Sequence, residues 1–151
     1  MKTSRKNWYF GSNELENIVS EFNNFTLQKS NWTHAAHLIV ALWYLTHYSE
    51  LEAINNIRDR IKKYNVAVGT KNTKNSGYHE TITMFWMKII QKYLTRNSAN
   101  NSFAENANNL VNLYENSALP FEYYSREFLM SWSARKNWVE PDLKPLSNIL
   151  N

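Results

Sequence analysis

Apolar positions recur at spacings of three and four through five successive segments of this chain, and short polar breaks divide the segments. Leu15, Ile18, Val19, Phe22 and Phe25 make the first stripe, and Asn13 with Glu16 three residues later has the form of a capping box that starts a helix there. The second segment, about Trp32 to Tyr48, is apolar on nearly every side from Leu38 to Leu45. Such a helix belongs at the centre of a bundle, covered by others. Ser49 and Glu52 repeat the capping pattern, and Leu51, Ile54, Ile57, Ile61 and Tyr64 follow as the buried stripe of a third helix. So short a link makes the second and third helices antiparallel neighbours.

From Val66 to Gly77 the periodicity stops, and Gly69-Thr-Lys-Asn-Thr-Lys-Asn-Ser-Gly77 has the composition of a polar loop. A fourth helix is expected from near Tyr78, burying Ile82, Phe85, Trp86, Ile89, Ile90 and Tyr93. Ser102 and Glu105 box the start of a fifth, which carries Phe103, Leu110, Leu113 and Tyr114. After Pro120 the helical patterns are short, around Phe121 to Asn137. Two prolines in Trp138-Val-Glu-Pro-Asp-Leu-Lys-Pro145 then forbid a continued helix, which leaves a strap over the bundle. The expected fold is all-α, one domain spanning residues 1–151, with five or six helices and a C-terminal strap.

Composition narrows the function classes. The chain has 151 residues, six Trp, nine Tyr and only three Gly and three Pro, which favours a bulky helical core over a turn-rich β fold. The absence of Cys excludes disulfides, thiolate nucleophiles and Cys-based zinc modules. Residues 1–10 lack the apolar stretch of a signal peptide, and the longest apolar run is too short for a bilayer, so a cytoplasmic protein with no membrane partner is expected. The net charge of +4 permits an anionic ligand without requiring nucleic acid, because Arg58, Arg60, Lys62 and Lys63 read as a solvated helix face. The frequent Asn, as between Asn97 and Asn109, reads as drift at exposed positions.

Candidate chemistry centres on three of the four histidines. His34 and His37 lie near the start of the second helix, and His79 lies near the start of the fourth. If the helices alternate in direction, the loop after the third returns the chain to the end where the second began, so the three imidazoles can converge. Were Asn31 and Ser76 the caps, His34 and His79 would both occupy first turns, where the positive helix end favours neutral imidazole. A close His pair and a distant third suit a divalent metal (zinc, iron or manganese) with an open position, and Glu80 is the candidate general base or fourth ligand. Glu80 sits about 100° around the helix from His79, so sharing one site with it requires an irregular first turn. His47 lies about 15 Å beyond His37 along the helix and is left out. The competing readings are a metal-free polar pocket and histidines that merely satisfy neighbouring backbone. Lys71, Asn72, Thr73 and Tyr78 precede a helix start, a place that attracts anions, and are candidates to bind a small polar or anionic molecule.

The blocks Trp32-Thr-His-Ala-Ala-His-Leu38, Gly77-Tyr-His-Glu-Thr-Ile-Thr83 and Trp138-Val-Glu-Pro-Asp-Leu143 resemble a family of small uncharacterised bacterial all-helical proteins. The resemblance covers roughly residues 30 to 145 and implies that the three blocks act together and that the source is bacterial; it implies no activity. The layout is also loosely similar to DinB-like bundles, which hold a metal with three histidines, although their ligand spacing is not matched here. The leading functional expectation is a metal-dependent small-molecule enzyme in which His34, His37 and His79 hold the ion and Glu80 moves a proton. The alternative is a non-enzymatic ligand-binding or interaction module with structural histidines, and nucleic-acid binding comes third.

Overall fold

The computed structural model of the protein describes residues 7–97 and 100–150; residues 1–6, residues 98 and 99 of the asparagine-rich stretch, and residue 151 lie outside the described residues. Among those described, the long elements are α1 (Ser12–Asn23), α2 (His34–His47), α3 (Glu50–Ala67), α4 (Glu80–Asn97) and α5 (Phe103–Leu113). Short helices follow: α6 (Pro120–Tyr123), α7 (Arg126–Leu129), α8 (Trp132–Lys136) and α9 (Ser147–Leu150). The all-α fold expected from the pattern is the observed one. No helix among the described residues is long and apolar enough to cross a membrane.

α2 is the axis of the bundle. Its consecutive residues Leu38, Ile39, Val40, Ala41 and Leu42 are all buried, which requires cover on every side, and α1, α3, α4 and α5 supply it. Both capping boxes at Ser49–Glu52 and Ser102–Glu105 form as the spacing predicts. α3 and α5 therefore start where the chain's local chemistry says they should. Leu51 and Leu113, expected in the core, are exposed. The covered face of α3 runs through Ala53, Ile57 and Tyr64, and Leu51 sits about 120° around the helix from Ile57. Leu113 is the last residue of α5, beyond the face that Leu110 and Val111 bury.

α1 departs from the expected start. Gly11 precedes its first residue without a side-chain cap, and Asn13 lies inside the helix. Phe25 falls beyond the helix end at φ 60°, so it packs on the core from a turn rather than from the stripe. The start is set by a tertiary contact. Trp8 N–H donates to Asn112 Oδ1 (2.8 Å) and Asn112 Nδ2 donates to Trp8 O (2.9 Å). Phe10 makes the same pair with Asn108 at 2.7 and 3.0 Å. Four helical residues rise about 6 Å and two extended residues span about as much, so asparagines four apart on α5 match alternate residues of an extended segment. Asn108, inside the stretch where drift was expected, and Asn112 just beyond it thus hold residues 8 and 10.

The C-terminal region builds a second cluster on the other side of α4. Phe85, Ile89, Tyr123, Tyr124 and Leu129 form its centre, and Trp138, Val139, Leu146, Ile149 and Leu150 cover it. Trp86 and Tyr114 pack against both clusters and join them. The strap between α8 and α9 is fastened by Tyr124 Oη donating to Val139 O (2.6 Å) and by Leu143 N–H donating to Tyr123 O (2.9 Å).

Candidate functional site

α2 and α4 do pack side by side, yet the three histidines point to different partners. Thr33, not Asn31, caps α2 by accepting from Ala36 N–H at 3.1 Å. His34, the first residue of α2, donates from Nε2 to Tyr114 O (2.8 Å) and lies 4.8 Å from the Trp86 ring. His37 stacks on Trp32 at 3.7 Å and donates from Nδ1 to Thr33 O (2.6 Å). His79, not Ser76, caps α4: its Nδ1 accepts from Ile82 N–H (3.1 Å) while its Nε2 meets Leu129 O (2.6 Å). A carbonyl only accepts, so Nε2 carries the proton and Nδ1 is bare. Both nitrogens of neutral His79 are then used.

Metal binding needs lone pairs aimed at one point. His79 has none to give, and among the described residues no group of three or more His, Cys, Asp or Glu is placed to hold an ion. The residues present do not fit the expected three-histidine metal centre. The cavity that does lie between α2, α3 and α4 has a volume of about 70 Å³. Its walls are mostly apolar, Trp32, Leu38, Ala41, Ile57 and Ile61 among them, with Thr83 and a single imidazole, His37, which leaves no convergent set of ligands.

Protonation follows from this placement. Burial lowers the pKa of His34, and the Tyr114 carbonyl opposes it only in part. Burial likewise lowers His79, the Leu129 carbonyl opposes, and the Arg135 charge lowers it further. Desolvation also pushes His37 downward, against the pull of the Thr33 carbonyl. His37 is solvent-exposed, however, so water returns much of that loss and its shift is smaller than the protein mass around it implies.

The Gly77–Thr83 block instead fastens the C-terminal segment to α4. Arg135 Nη1 donates to Gly77 O (3.0 Å), Thr81 Oγ1 donates to Asn137 O (2.8 Å), and Val139 N–H donates to Thr81 Oγ1 (3.2 Å). Together with the His79–Leu129 bond these contacts tie the second and third sequence blocks to each other. Gly77 has φ +80°, and a Cβ there would lie 2.5 Å from Lys71 O and 2.8 Å from Asn72 Cα, so the turn requires glycine. Asn72 organises the loop from inside. Its Oδ1 accepts from Tyr78 N–H (3.0 Å) and Asn65 Nδ2 (2.9 Å), and its Nδ2 donates to Lys62 O (3.1 Å).

These contacts shape a cleft of about 560 Å³ lined by Arg58 and Lys62 of α3, Asn72 and Thr73 of the loop, Tyr78, Glu80, and Trp132, Arg135, Lys136 and Asn137. Asn72, Thr73, Tyr78 and Glu80, four of the residues singled out in the sequence, come together here. Lys71 is exposed on the same loop and does not line the cleft. Arg58 grips Glu80 with two bonds, Nε to Oε1 at 3.0 Å and Nη2 to Oε2 at 2.7 Å, and Tyr78 Oη donates to Oε1 at 2.6 Å. Burial would raise the Glu80 pKa, but the Arg58 and Tyr78 hydrogen bonds outweigh it and hold the carboxyl below its ordinary range. Burial, then the bond to Glu80, pushes the Tyr78 phenol well up. A carboxylate so held is a weak proton acceptor at neutral pH, so this arrangement does not suit Glu80 to the role of general base.

The other cations have no carboxylate of their own among the described residues. Lys62 Nζ lies 4.9 Å over the Tyr78 ring, and Arg135 bonds backbone carbonyls while its Nε is a buried donor without a partner. Sequence reasoning missed Arg58, Lys62, Trp132, Arg135 and Lys136. The available signal was spacing: Arg58 and Lys62 are four apart on one helix, and Arg135 and Lys136 fall three and four after Trp132. No family model, curated protein or solved structure matches the chain. The functional reading rests on this geometry.

Proposed function

We propose that the protein binds a small oxyanionic ligand, such as a phosphate or phosphate ester, in the cleft between α3, the 68–79 loop and α8. The observation that carries this reading is the charge balance: Arg58, Lys62, Arg135 and Lys136 face a single carboxylate, Glu80, which Arg58 already neutralises. Gathering like charges in a concave site costs free energy and focuses positive potential, and an entering anion offsets that cost. Glu80 and Tyr78 hold Arg58 in place, leaving Lys62 and Lys136 as the mobile donors. The ligand-binding reading is favoured over the metal-dependent enzyme because the hydrogen bonds of His79 compete directly with coordination.

The test is calorimetric titration of the protein with inorganic phosphate and pyrophosphate at low and raised ionic strength. One charge pair at contact contributes about 1 kcal/mol in water and more in a partly enclosed site, so Lys62→Glu and Lys136→Glu should each weaken binding about tenfold or more. Raised salt should weaken it in the parent as well. Lys63→Glu, whose lysine pairs with Asp59 at 3.1 Å outside the cleft, should change affinity little. Absence of binding at low salt, or an equal loss from Lys63→Glu, would remove the proposal.

A further inference from the structure

The oxyanion reading leaves one wall of the cleft unexplained. Trp132 is 44% exposed, lines the cleft, and among the described residues has no stacked ring or cation over it. An indole is the largest apolar surface a residue can offer, and leaving it open beside four cations has no structural benefit in the contacts seen here. Its helical register places it with the charges: Arg135 and Lys136 follow three and four residues later on α8, so all three project to one side. The other ring in the cleft, Tyr78, is already occupied, with Lys62 over its face and its hydroxyl on Glu80.

We infer that the ligand joins a flat ring to its oxyanion, and that the cleft takes a nucleoside phosphate, with the base stacked on Trp132 and the phosphate between Lys62 and Lys136. This rests on the proposed oxyanion binding and specifies its ligand. Three observations favour a nucleotide over a simple aromatic carboxylate. The cleft carries a surplus of three positive charges, which suits a phosphate dianion better than a monoanion. Its volume of about 560 Å³ exceeds what a phosphate alone would fill. Thr73 and Asn137 add exposed polar groups to the lining, which suit a sugar.

The experiment compares the four nucleoside 5′-monophosphates with ribose 5-phosphate and inorganic phosphate by calorimetry, on the parent, Trp132→Ala and Trp132→Phe. Stacking of one base on an aromatic ring is expected to favour at least one nucleotide over ribose 5-phosphate by about tenfold or more. Trp132→Ala should erase that ratio while leaving ribose 5-phosphate affinity unchanged, and Trp132→Phe should restore part of it. If nucleotides and ribose 5-phosphate bind alike, or the ratio survives in Trp132→Ala, the ring inference is overturned and oxyanion binding stands. If neither phosphate, ribose 5-phosphate nor any nucleotide binds, both readings fall together. If a single-stranded oligonucleotide binds far more tightly than every mononucleotide, with a steep salt dependence, the small-ligand assignment is overturned in favour of a strand.

Discussion

Replacing His79 with alanine would remove two hydrogen bonds that end at the same ring. The first starts α4, and losing an N-cap acceptor for Ile82 N–H costs about 1 kcal/mol, within a range of about 0.5–2. The second holds Leu129, a fully buried residue whose carbonyl water cannot reach in compensation. An orphaned buried acceptor costs about 1–3 kcal/mol. The two losses together come to about 1.5–5 kcal/mol, and a domain of this length loses about 2–4 °C in Tm per kcal/mol, so a fall of about 3–20 °C is expected. His79→Asn retains an oxygen for the cap but is too short to reach Leu129, so it should recover about 1 kcal/mol. Urea unfolding followed by helical circular dichroism, with and without zinc, measures all three proteins. The reasoning fails if His79→Ala unfolds within about 0.5 kcal/mol of the parent. It also fails if zinc stabilises the parent and not the variant, because that requires a lone pair on His79 which its two bonds do not leave.

Other expectations follow from the same contacts. Burial holds His34 and His79 below the ordinary histidine value of 6.5, and between that value and the folded pKa values the unfolded chain binds more protons. Their contribution to stability is therefore whole above pH 6.5 and is lost as pH falls through the folded values; His79→Asn should flatten the decline, and a rise in the urea midpoint on acidification would contradict it. Gly77→Ala meets both positive φ and the Lys71 carbonyl, and should cost more than about 2 kcal/mol while reducing phosphate binding through the displaced loop. Glu80→Gln removes the one negative charge of the cleft, so phosphate should bind several-fold more tightly to a protein about 1–3 kcal/mol less stable. Asn108→Ala with Asn112→Ala releases the paired backbone of Trp8 and Phe10, and hydrogen exchange at those two amides should accelerate about tenfold or more.

The helices were readable because their signals are local. Ser49 with Glu52 and Ser102 with Glu105 satisfy backbone donors within four residues, and no distant contact alters that outcome. Asn13 and Glu16 show the same pattern without the result, because the backbone pairing of Trp8 and Phe10 with α5 sets how the chain enters α1. A pairing between residues about a hundred positions apart leaves no local mark. The expectation that α4 lies beside α2 held for a related reason, since it followed from helix lengths and a short link rather than from side-chain identity.

The site was harder to read because side-chain direction is decided by partners the sequence does not name. His79 has the residue type and position of a metal ligand, and its sequence neighbours are consistent with that role. What assigns it to capping is the Leu129 carbonyl, fifty residues away, which fixes the proton on Nε2 and leaves Nδ1 for α4. Arg58 and Lys62 illustrate the reverse error. On α3 alone they are indistinguishable from Lys63, which is paired on an outward face with Asp59. They line the cleft only when Arg135 draws α8 against the Gly77 carbonyl and brings Trp132 and Lys136 across from them. The histidine and arginine anchors thus have one consequence in common. By binding the C-terminal segment to the start of α4, they build the opposite wall of the cleft, so His79 variants that loosen this clamp should lose oxyanion affinity without altering any cation of the cleft.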